Sequence, residues 1–492
     1  MQQLFGTSVR TILLTLILFN PAFAGWSEPV RISEPGGCWY PQILAHGDTL
    51  HVVYENTNQF DKISYLRSDN SGEGWAEPIV LSADSSQTVF PRILHNGTLL
   101  MALWRNIAYY QEPRNWNIGF ALSSDNGLTW TEPLYIINPG WDHILYFSAS
   151  GSGPVVNVIA SKRVSPDLIF YDIRSTNFGE NWSEPVEIFR AAQSGTSDQV
   201  SLGSFVHLVW SGNFDQDDSW ETYYTRSIDE GNTWLANEML TEDDGKESTR
   251  PSICMASQSD LLLLWTDLKF SPYWFTGDLF LRKSTNSGQQ WQSESQITNN
   301  HLARRSDIVG NADTIRLVWE DEREANGRRG IYYNNSDNGG INWGNEVRLD
   351  NSAEESRNPV LAASNGRVYV IWADDRSYPP ADIYPGIYFR RYEEGTWINE
   401  KPVNLPQSVS LNAYPNPFNS ATTITYTNLL SDAIAIYNIA GQRVATLPAS
   451  AAHGQVTWDG TDAAGEMVSS GIYFARATGN SGAQTIKLVY LR

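Results

Sequence analysis

Residues 123–130 read SSDNGLTW, and the chain repeats this shape. Each copy follows the pattern Ser-x-Asp/Asn-x-Gly-x-x-Trp. The other copies are SDNSGEGW at 68–75, STNFGENW at 175–182, SIDEGNTW at 227–234, STNSGQQW at 284–291 and SDNGGINW at 336–343. Neighbouring tryptophans lie 52 to 57 residues apart, and a degenerate seventh copy ends at Trp397. A period near 50 residues is typical of propeller or solenoid units.

Each repeat also contains the pattern of four short strands. In the first repeat these are YPQIL at 40–44, the apolar run LHVVY at 50–54, the alternating ISYLRS at 63–68 and the closing EPIVLS at 77–82. Four strands joined by hairpins, with an apolar second strand, indicate a propeller blade. We therefore predict an all-β protein with a seven-bladed β-propeller, six blades being the alternative. WSEPVRIS at 26–33 matches a closing strand and is expected to pair with the last blade.

The repeated turn has the chemistry of a structural staple. Asp and Asn both fold back to accept backbone N–H groups, Gly admits positive φ, and we expect each Trp to bury its ring against its own blade. Asn replaces Asp in four copies, which favours a structural role over catalysis. The predicted staple residues are Ser68, Asn70, Gly72, Trp75, Ser123, Asp125, Gly127, Trp130, Ser175, Asn177, Gly179, Trp182, Ser227, Asp229, Gly231, Trp234, Ser284, Asn286, Gly288, Trp291, Ser336, Asn338, Gly340 and Trp343.

These turns resemble the Asp-box of the sialidase superfamily and related BNR-repeat propellers, over roughly residues 26–405. The resemblance implies that each box joins the third and fourth strands, away from the substrate. Sialidases hold a sialic-acid carboxylate with three arginines and use a Tyr–Glu nucleophile pair and an Asp acid/base. Their first arginine lies in a Phe/Tyr-Arg-Ile-Pro motif that opens the first blade. Here residues 38–41 read CWYP, without arginine.

Candidate ligand-binding and catalytic residues come from the later repeats. Arg250 and Arg305 occupy the same place in successive first strands, and Arg357 lies one residue earlier in the next. Arginine binds carboxylate or sulfate bidentately, so this trio is a candidate anion site. The alternative is that each pairs with an Asp at a blade junction. Asp321 and Asp374 are candidate acid/base groups, or else members of an Asp–Arg lattice between blades.

Two aromatic loops, 105–117 and 267–277, offer stacking faces for sugars or, equally, packing anchors. No sequence pattern indicates a metal or another cofactor. The formal net charge of −21 argues against nucleic acid as a partner, and no apolar stretch is long enough for a transmembrane segment. Cys38 and Cys254 are predicted to be buried free thiols, a disulfide between them being the alternative.

The chain carries targeting signals at both ends. Residues 1–24 read as a secretory signal peptide, with an apolar run at 12–19 and the small-x-small site AFA at 22–24. Residues 25–405 are the predicted propeller, and 406–492 a small Ig-like β-sandwich. YPNPFN, IYNIAGQRV and KLVYLR within 409–492 resemble the C-terminal sorting domain of the type IX secretion system, with its FlgD-type Ig-like fold. The resemblance implies that 409–492 engage the type IX secretion machinery and deliver the chain outside a Gram-negative bacterium or to its outer surface.

Three functions remain open at this point. The first is recognition of an extracellular glycan or surface polysaccharide. The second is exo-glycosidase activity of the sialidase type, and the third is a non-catalytic scaffold for proteins at the cell surface.

Overall fold

The computed structural model describes residues 25–491 except for 35, 58–60, 83–86, 109–114, 137–143, 215–218, 256, 311–312, 325–326, 377–384, 394–409, 428–432, 450–453 and 480–481. The predicted signal peptide and Trp397 lie outside the described residues. The chain divides into two compact units, Phe23–Gly395 and one that contains residues 396–492. The elements of the described residues are all β-strands, so the predicted all-β fold is confirmed.

The first unit contains seven antiparallel sheets, called blades 1 to 7. Two strands precede them, β1 (Gly25–Trp26) and β2 (Val30–Arg31). Blade 1 has β3 (Cys38–His46), β4 (Thr49–Asn56), β5 (Lys62–Ser68) and β6 (Ile79–Val80). Blade 2 has β7 (Gln87–His95), β8 (Leu100–Ala108), β9 (Asn115–Ser123) and β10 (Leu134–Ile136). Blade 3 has β11 (Ile144–Ser152), β12 (Val155–Val164), β13 (Asp167–Ser175) and β14 (Val186–Ala191). Blade 4 has β15 (Gln193–Leu202), β16 (Phe205–Asn213), β17 (Glu221–Ser227) and β18 (Glu238–Met239).

The remaining blades follow the same order. Blade 5 has β19 (Ser248–Met255), β20 (Leu261–Asp267), β21 (Asp278–Ser284) and β22 (Ser295–Gln296). Blade 6 has β23 (Ala303–Gly310), β24 (Ile315–Asp321), β25 (Gly330–Ser336) and β26 (Val347–Arg348). Blade 7 has β27 (Ser356–Ser364), β28 (Arg367–Asp374) and β29 (Gly386–Glu393).

The first strand of each blade contacts the first strands of both neighbouring blades, and β27 contacts β3. The sheets therefore form a closed ring whose first strands surround an axial channel. The second strands form the core, as their apolar sequences predict. All seven residues of β20 and of β24 are buried.

The N-terminal strands complete blade 7, which confirms the expectation for WSEPVRIS. In β1 Trp26 lies opposite Tyr392, and in β2 Val30 lies opposite Phe389, both of β29. The Trp26 ring also packs edge-on against Tyr333 of blade 6, with 4.8 Å between ring centroids. The first strand of the propeller in sequence thus joins the last blade and also contacts blade 6.

Each Asp-box is closed by three short hydrogen bonds. In the second box Ser123 Oγ accepts the Gly127 N–H (2.8 Å) and donates to Asp125 Oδ1 (2.8 Å). Asp125 Oδ1 also accepts the Thr129 N–H (2.9 Å). The Asn boxes use their side-chain oxygen in the same way, as Asn177 does with the Asn181 N–H (2.9 Å). An acceptor oxygen is all that the turn requires, which explains why Asp and Asn interchange.

The box tryptophans also contact the third strand of the preceding blade, which the sequence did not predict. The centroid distances are 4.8 Å for Trp130–Tyr65, 5.1 Å for Trp291–Tyr224, 5.6 Å for Trp182–Phe120 and 5.2 Å for Trp75–Phe389. The box glycine packs against the same aromatic ring of the preceding blade. A Cβ on Gly127, whose φ is +84°, would lie 1.9 Å from Tyr65 Oη. The boxes therefore join blade to blade, and Trp75 joins blade 1 to blade 7.

The second unit is a β-sandwich. One sheet has the order β30 (Ser410–Tyr414), β31 (Thr422–Thr427), β34 (Gly454–Trp458). The other has the order β33 (Arg443–Pro448), β32 (Ala433–Asn438), β35 (Gly471–Gly479), β36 (Gly482–Tyr490). Both contribute to one apolar core, in which Phe418 lies 5.6 Å from Trp458 and 5.1 Å from Tyr490. In the propeller, Cys38 and Cys254 are free thiols as predicted, Cys38 buried and Cys254 partly buried.

Candidate ligand site at the mouth of the axial channel

All seven innermost strands shift register near their N-terminal ends. In five blades a non-glycine residue at this bulge has a left-handed backbone, which costs about 1–3 kcal/mol and persists only where its surroundings enforce it. These residues are Tyr40, Phe90, Arg250, Arg305 and Asn358, with φ of 45°, 55°, 54°, 44° and 53°. Because the strands run in the same direction, the bulges lie together at one end of the channel, here called the channel mouth.

Buried glutamates from neighbouring blades hold two of these bulges. Glu55 Oε1 accepts the Phe90 N–H (2.6 Å), and Glu320 Oε1 accepts the Asn358 N–H (2.7 Å). Burial raises the pKa of Glu55 to about 7. The shape of the channel mouth is therefore set by hydrogen bonds between blades.

The mouth has an aromatic side on blades 1 to 3. The Tyr40 and Phe90 rings lie 5.1 Å apart, and Tyr146, at the matching place in blade 3, lies 6.4 Å from Phe90. The Arg105 guanidinium covers Phe90 at 4.8 Å from its centroid. Aromatic faces of this kind bind the apolar faces of ligands.

The opposite side, on blades 5 to 7, is basic. Arg250 is partly buried, and among the described residues none accepts a hydrogen bond or forms an ion pair with its guanidinium. Burial, followed by the charges of Arg304 and Arg305, lowers the pKa of Arg250 to about 10. A half-desolvated cation with like charges beside it is a favourable partner for an incoming anion.

The other two predicted ligand-binding arginines have protein partners. Arg305 donates to Asn358 Oδ1 and lies 3.9 Å from Glu320. Arg357 pairs with Glu355 (3.1 Å) and Asp375 (3.2 Å). The structure thus brings Arg250 and Arg305 into electrostatic contact, whereas the charge of Arg357 is already neutralised.

An ion-pair network that sequence reasoning missed lies behind these arginines. Arg304 approaches Glu320 (3.4 Å) and Glu322 (3.5 Å), and Arg329 approaches both glutamates (3.8 Å each). Arg329 also pairs with Glu355 (2.7 Å) in the linker to blade 7. The only signal in the sequence was the acidic run after Trp319. Such a network fixes side-chain positions around the site more than it adds stability.

Asp321 and Asp374 lie inside their blades. Each is fully buried and accepts the indole N–H of the Trp two residues before it, at 3.1 Å for Asp321 and 3.0 Å for Asp374. Each also pairs with the Arg two residues after it, Arg323 (2.6 Å) and Arg376 (2.7 Å). Burial alone would raise the pKa of Asp374, but the Arg376 hydrogen bonds and charge lower it below its usual value. These contacts favour a structural role over acid/base work, and the Asp–Arg pairs act mainly within a blade.

Asp375, which the sequence did not single out, is different. Its Oδ1 is buried and has no hydrogen-bond partner among the described residues, while Oδ2 faces Arg357. Burial raises its pKa above the usual value despite the Arg357 charge. It is a carboxyl group at the site that holds its proton more tightly than an exposed Asp.

Deeper in the channel, polar side chains of blades 4 to 6 lie together. Asp198 accepts the Ile253 N–H (3.0 Å) and Asp307 accepts the Leu361 N–H (3.0 Å), with Ser252 Oγ between them at 3.4 and 3.2 Å. No set of three or more potential metal ligands is clustered anywhere in the described part of the chain.

Comparisons with known proteins give remote structural matches. A protein of unknown function from Dyadobacter fermentans is 12% identical, with a TM-score of 0.49 over 75% of this chain and 99% of its own. An α-L-arabinanase from Penicillium chrysogenum is 12% identical, with a TM-score of 0.44 over 61% and 92%. A sialidase from Streptococcus pneumoniae is 13% identical, with a TM-score of 0.44 over 77% and 71%. No curated protein matches the chain significantly.

The C-terminal unit has a family match. Residues 412–491 match the secretion system C-terminal sorting domain, which directs export by type IX secretion to the cell surface or beyond. A search of the described residues for a membrane-spanning helix finds none. The chain is thus a β-propeller of seven sheets whose C-terminal unit carries a sorting domain of the type IX secretion system.

Proposed function

We propose that the exported propeller binds a carboxylate-bearing extracellular glycan at the channel mouth. The observation that carries the proposal is Arg250, a partly buried guanidinium without a protein acceptor among the described residues. A sugar carboxylate would satisfy its hydrogen bonds and offset the repulsion from Arg304 and Arg305. The aromatic side formed by Tyr40, Phe90 and Tyr146 would contact the apolar face of a ring.

Calorimetric titration of the mature chain tests this proposal. The probes are galacturonate, glucuronate and N-acetylneuraminate, with glucose as the neutral control. Arg250→Ala is expected to weaken binding of the acidic sugar about tenfold or more, since hydrogen bonds to charged groups contribute about 1.5–3 kcal/mol. Arg190→Ala, at an exposed arginine paired with Glu187, is the matched control. Equal affinity in the Arg250 variant contradicts the proposal.

Hydrolysis of an acidic glycan is a second candidate, favoured by Asp375. A carboxyl group with a raised pKa is the type of group that donates a proton to a leaving sugar. The mature chain would then release the fluorophore from a fluorogenic sialoside or uronide, and Asp375→Asn would lower kcat by about 100-fold or more. Binding without release under all conditions assigns the site to recognition alone.

A further inference from the structure

An aromatic loop stands beside the channel mouth. It comprises residues 268–277, between β20 and β21 of blade 5, and exposes three rings. Trp274 is 81% exposed, Phe270 56% and Tyr273 47%. Trp274 is the most exposed of the large hydrophobic side chains described in the structure.

The loop is held in place by hydrogen bonds of its own. The Ser271 N–H donates to the Leu268 carbonyl (2.9 Å), and the Tyr273 N–H donates to Ser271 Oγ (3.0 Å). Gly277 and Ala303 exchange two backbone hydrogen bonds, at 3.0 and 2.9 Å. These hydrogen bonds fix the loop in the conformation that exposes Trp274. The ring is therefore already positioned for a ligand before binding.

The same anchor places the loop next to the basic side of the mouth. Ala303 immediately precedes Arg304 and Arg305. The Arg304 guanidinium lies 5.9 Å from the Phe275 ring centroid, and Phe275 lies 5.0 Å from Trp274. Arg304 and Phe275 thus connect the surroundings of Arg250 to the exposed ring of Trp274.

We propose that the ligand is an oligosaccharide, with its acidic sugar at Arg250 and a neighbouring sugar stacked on Trp274. This inference rests on the proposed function. Trp274 contacts Phe275, while Phe270 packs towards Phe280, so the exposed rings face different neighbours instead of forming one apolar patch. A single indole beside cationic groups suits the CH face of an acidic glycan chain, whereas a protein partner would call for a contiguous apolar surface.

Binding of acidic monosaccharides and of their tetrasaccharides distinguishes the two steps. The probes are galacturonate and tetragalacturonate, glucuronate and a hyaluronan tetrasaccharide, and N-acetylneuraminate and its α2,8-linked tetramer. The tetrasaccharide of the sugar that binds is expected to bind the mature chain about threefold to tenfold more tightly than its monosaccharide. Trp274→Ala removes that gain and leaves monosaccharide affinity unchanged. Ile341→Ala, at an 80% exposed side chain of an Asp-box turn, is the matched control and leaves both affinities unchanged.

The outcomes separate this inference from the proposal on which it rests. If Trp274→Ala binds the tetrasaccharide as the wild type does, or if tetrasaccharide and monosaccharide bind equally, the stacking subsite is wrong while the acidic-sugar site stands. If no acidic probe binds the wild-type chain, the proposed function itself is contradicted.

Discussion

Ser123 and Asp125 contribute differently to the same turn. Ser123 Oγ both donates and accepts, whereas Asp125 supplies an acceptor that an amide oxygen provides equally well in four other boxes. We expect Ser123→Ala to lower the free energy of unfolding by about 1–2 kcal/mol. Asp125→Asn, the matched control, should change it by less than about 0.5 kcal/mol. Urea denaturation measures both values, and equal losses in the two variants would contradict this account of the box.

The three candidate arginines show that sequence alone predicts position but not whether a side chain has a protein partner. Strand alignment placed Arg250, Arg305 and Arg357 near one another, and all three do lie towards the channel mouth. Their availability depends on acceptors that are remote in sequence or outside the aligned strands, such as Asn358 for Arg305 and Asp375 for Arg357. Three-dimensional contacts were needed to show that Arg250 alone of the trio lacks a described partner.

At the scale of elements, Trp26 acts as a box tryptophan for the junction between blades 6 and 7. Its ring meets Tyr333, which matches Tyr65 and Tyr224 in their strands. We expect Trp26→Ala to lower the stability of the propeller by about 2 kcal/mol, because a large contact at ring closure is lost. Trp274→Ala, at an exposed ring, is the control and should leave the thermal midpoint unchanged. A Trp26 variant as stable as the wild type would show that blade 7 closes without this contact.

The sequence predicts the order of the strands, but it does not predict which neighbouring blade each box tryptophan contacts. Periodic Trp residues, apolar second strands and the WSEP repeat at the N-terminus predicted the sheets and the closing strand. The spacing within a repeat does not show which face of which sheet a ring meets. Tyr65 and Phe389 occupy ordinary strand positions. They contact Trp130 and Trp75 only because the blades are arranged around the channel.

For the whole molecule, buried carboxyl groups make stability depend on pH. Burial raises the pKa of Glu55, Asp172 and Glu221 to about 7 and that of Asp307 to about 6. The folded state therefore holds these protons more tightly than the unfolded state does. The stabilisation is complete below the unfolded values near 4 and is lost as the pH rises to about 7.

His51 and His207 act in the opposite direction, because burial lowers their pKa to about 3 and they therefore favour folding as the pH rises through 6.5. Since the four carboxyl groups outweigh the two histidines, thermal unfolding should show a higher midpoint at pH 5 than at pH 8. Glu55→Gln keeps an oxygen for the Phe90 N–H but does not titrate, so it should reduce the difference between the two midpoints. A Glu55→Gln variant with the same difference between the two midpoints as the wild type would contradict the assignment of Glu55 as protonated in the fold at pH 5.

Export is the second property of the whole chain. We propose that residues 1–24 direct passage across the inner membrane and that 409–492 direct passage across the outer one. Deletion of 409–492 should leave the propeller in the periplasm, as measured by fractionation of cells in which the full chain reaches the surface or medium. A deletion limited to the final KLVYLR, residues 487–492, removes part of β36 and tests whether an intact sandwich is needed. Unchanged export of the larger deletion would refute the sorting role.

The contacts of Trp75, Trp130, Trp182 and Trp291 with the preceding blade have a consequence for how propellers gain or lose blades. Each of these blades packs its own box tryptophan on the third strand of the blade before it, so the contact at such a junction does not depend on how many blades precede it. Duplication or loss of one unit would preserve every junction type, including the one at which Trp75 meets Phe389 across the start and end of the propeller. The number of blades is then limited by the angle between neighbouring sheets. Point substitutions in an Asp-box need not alter that angle.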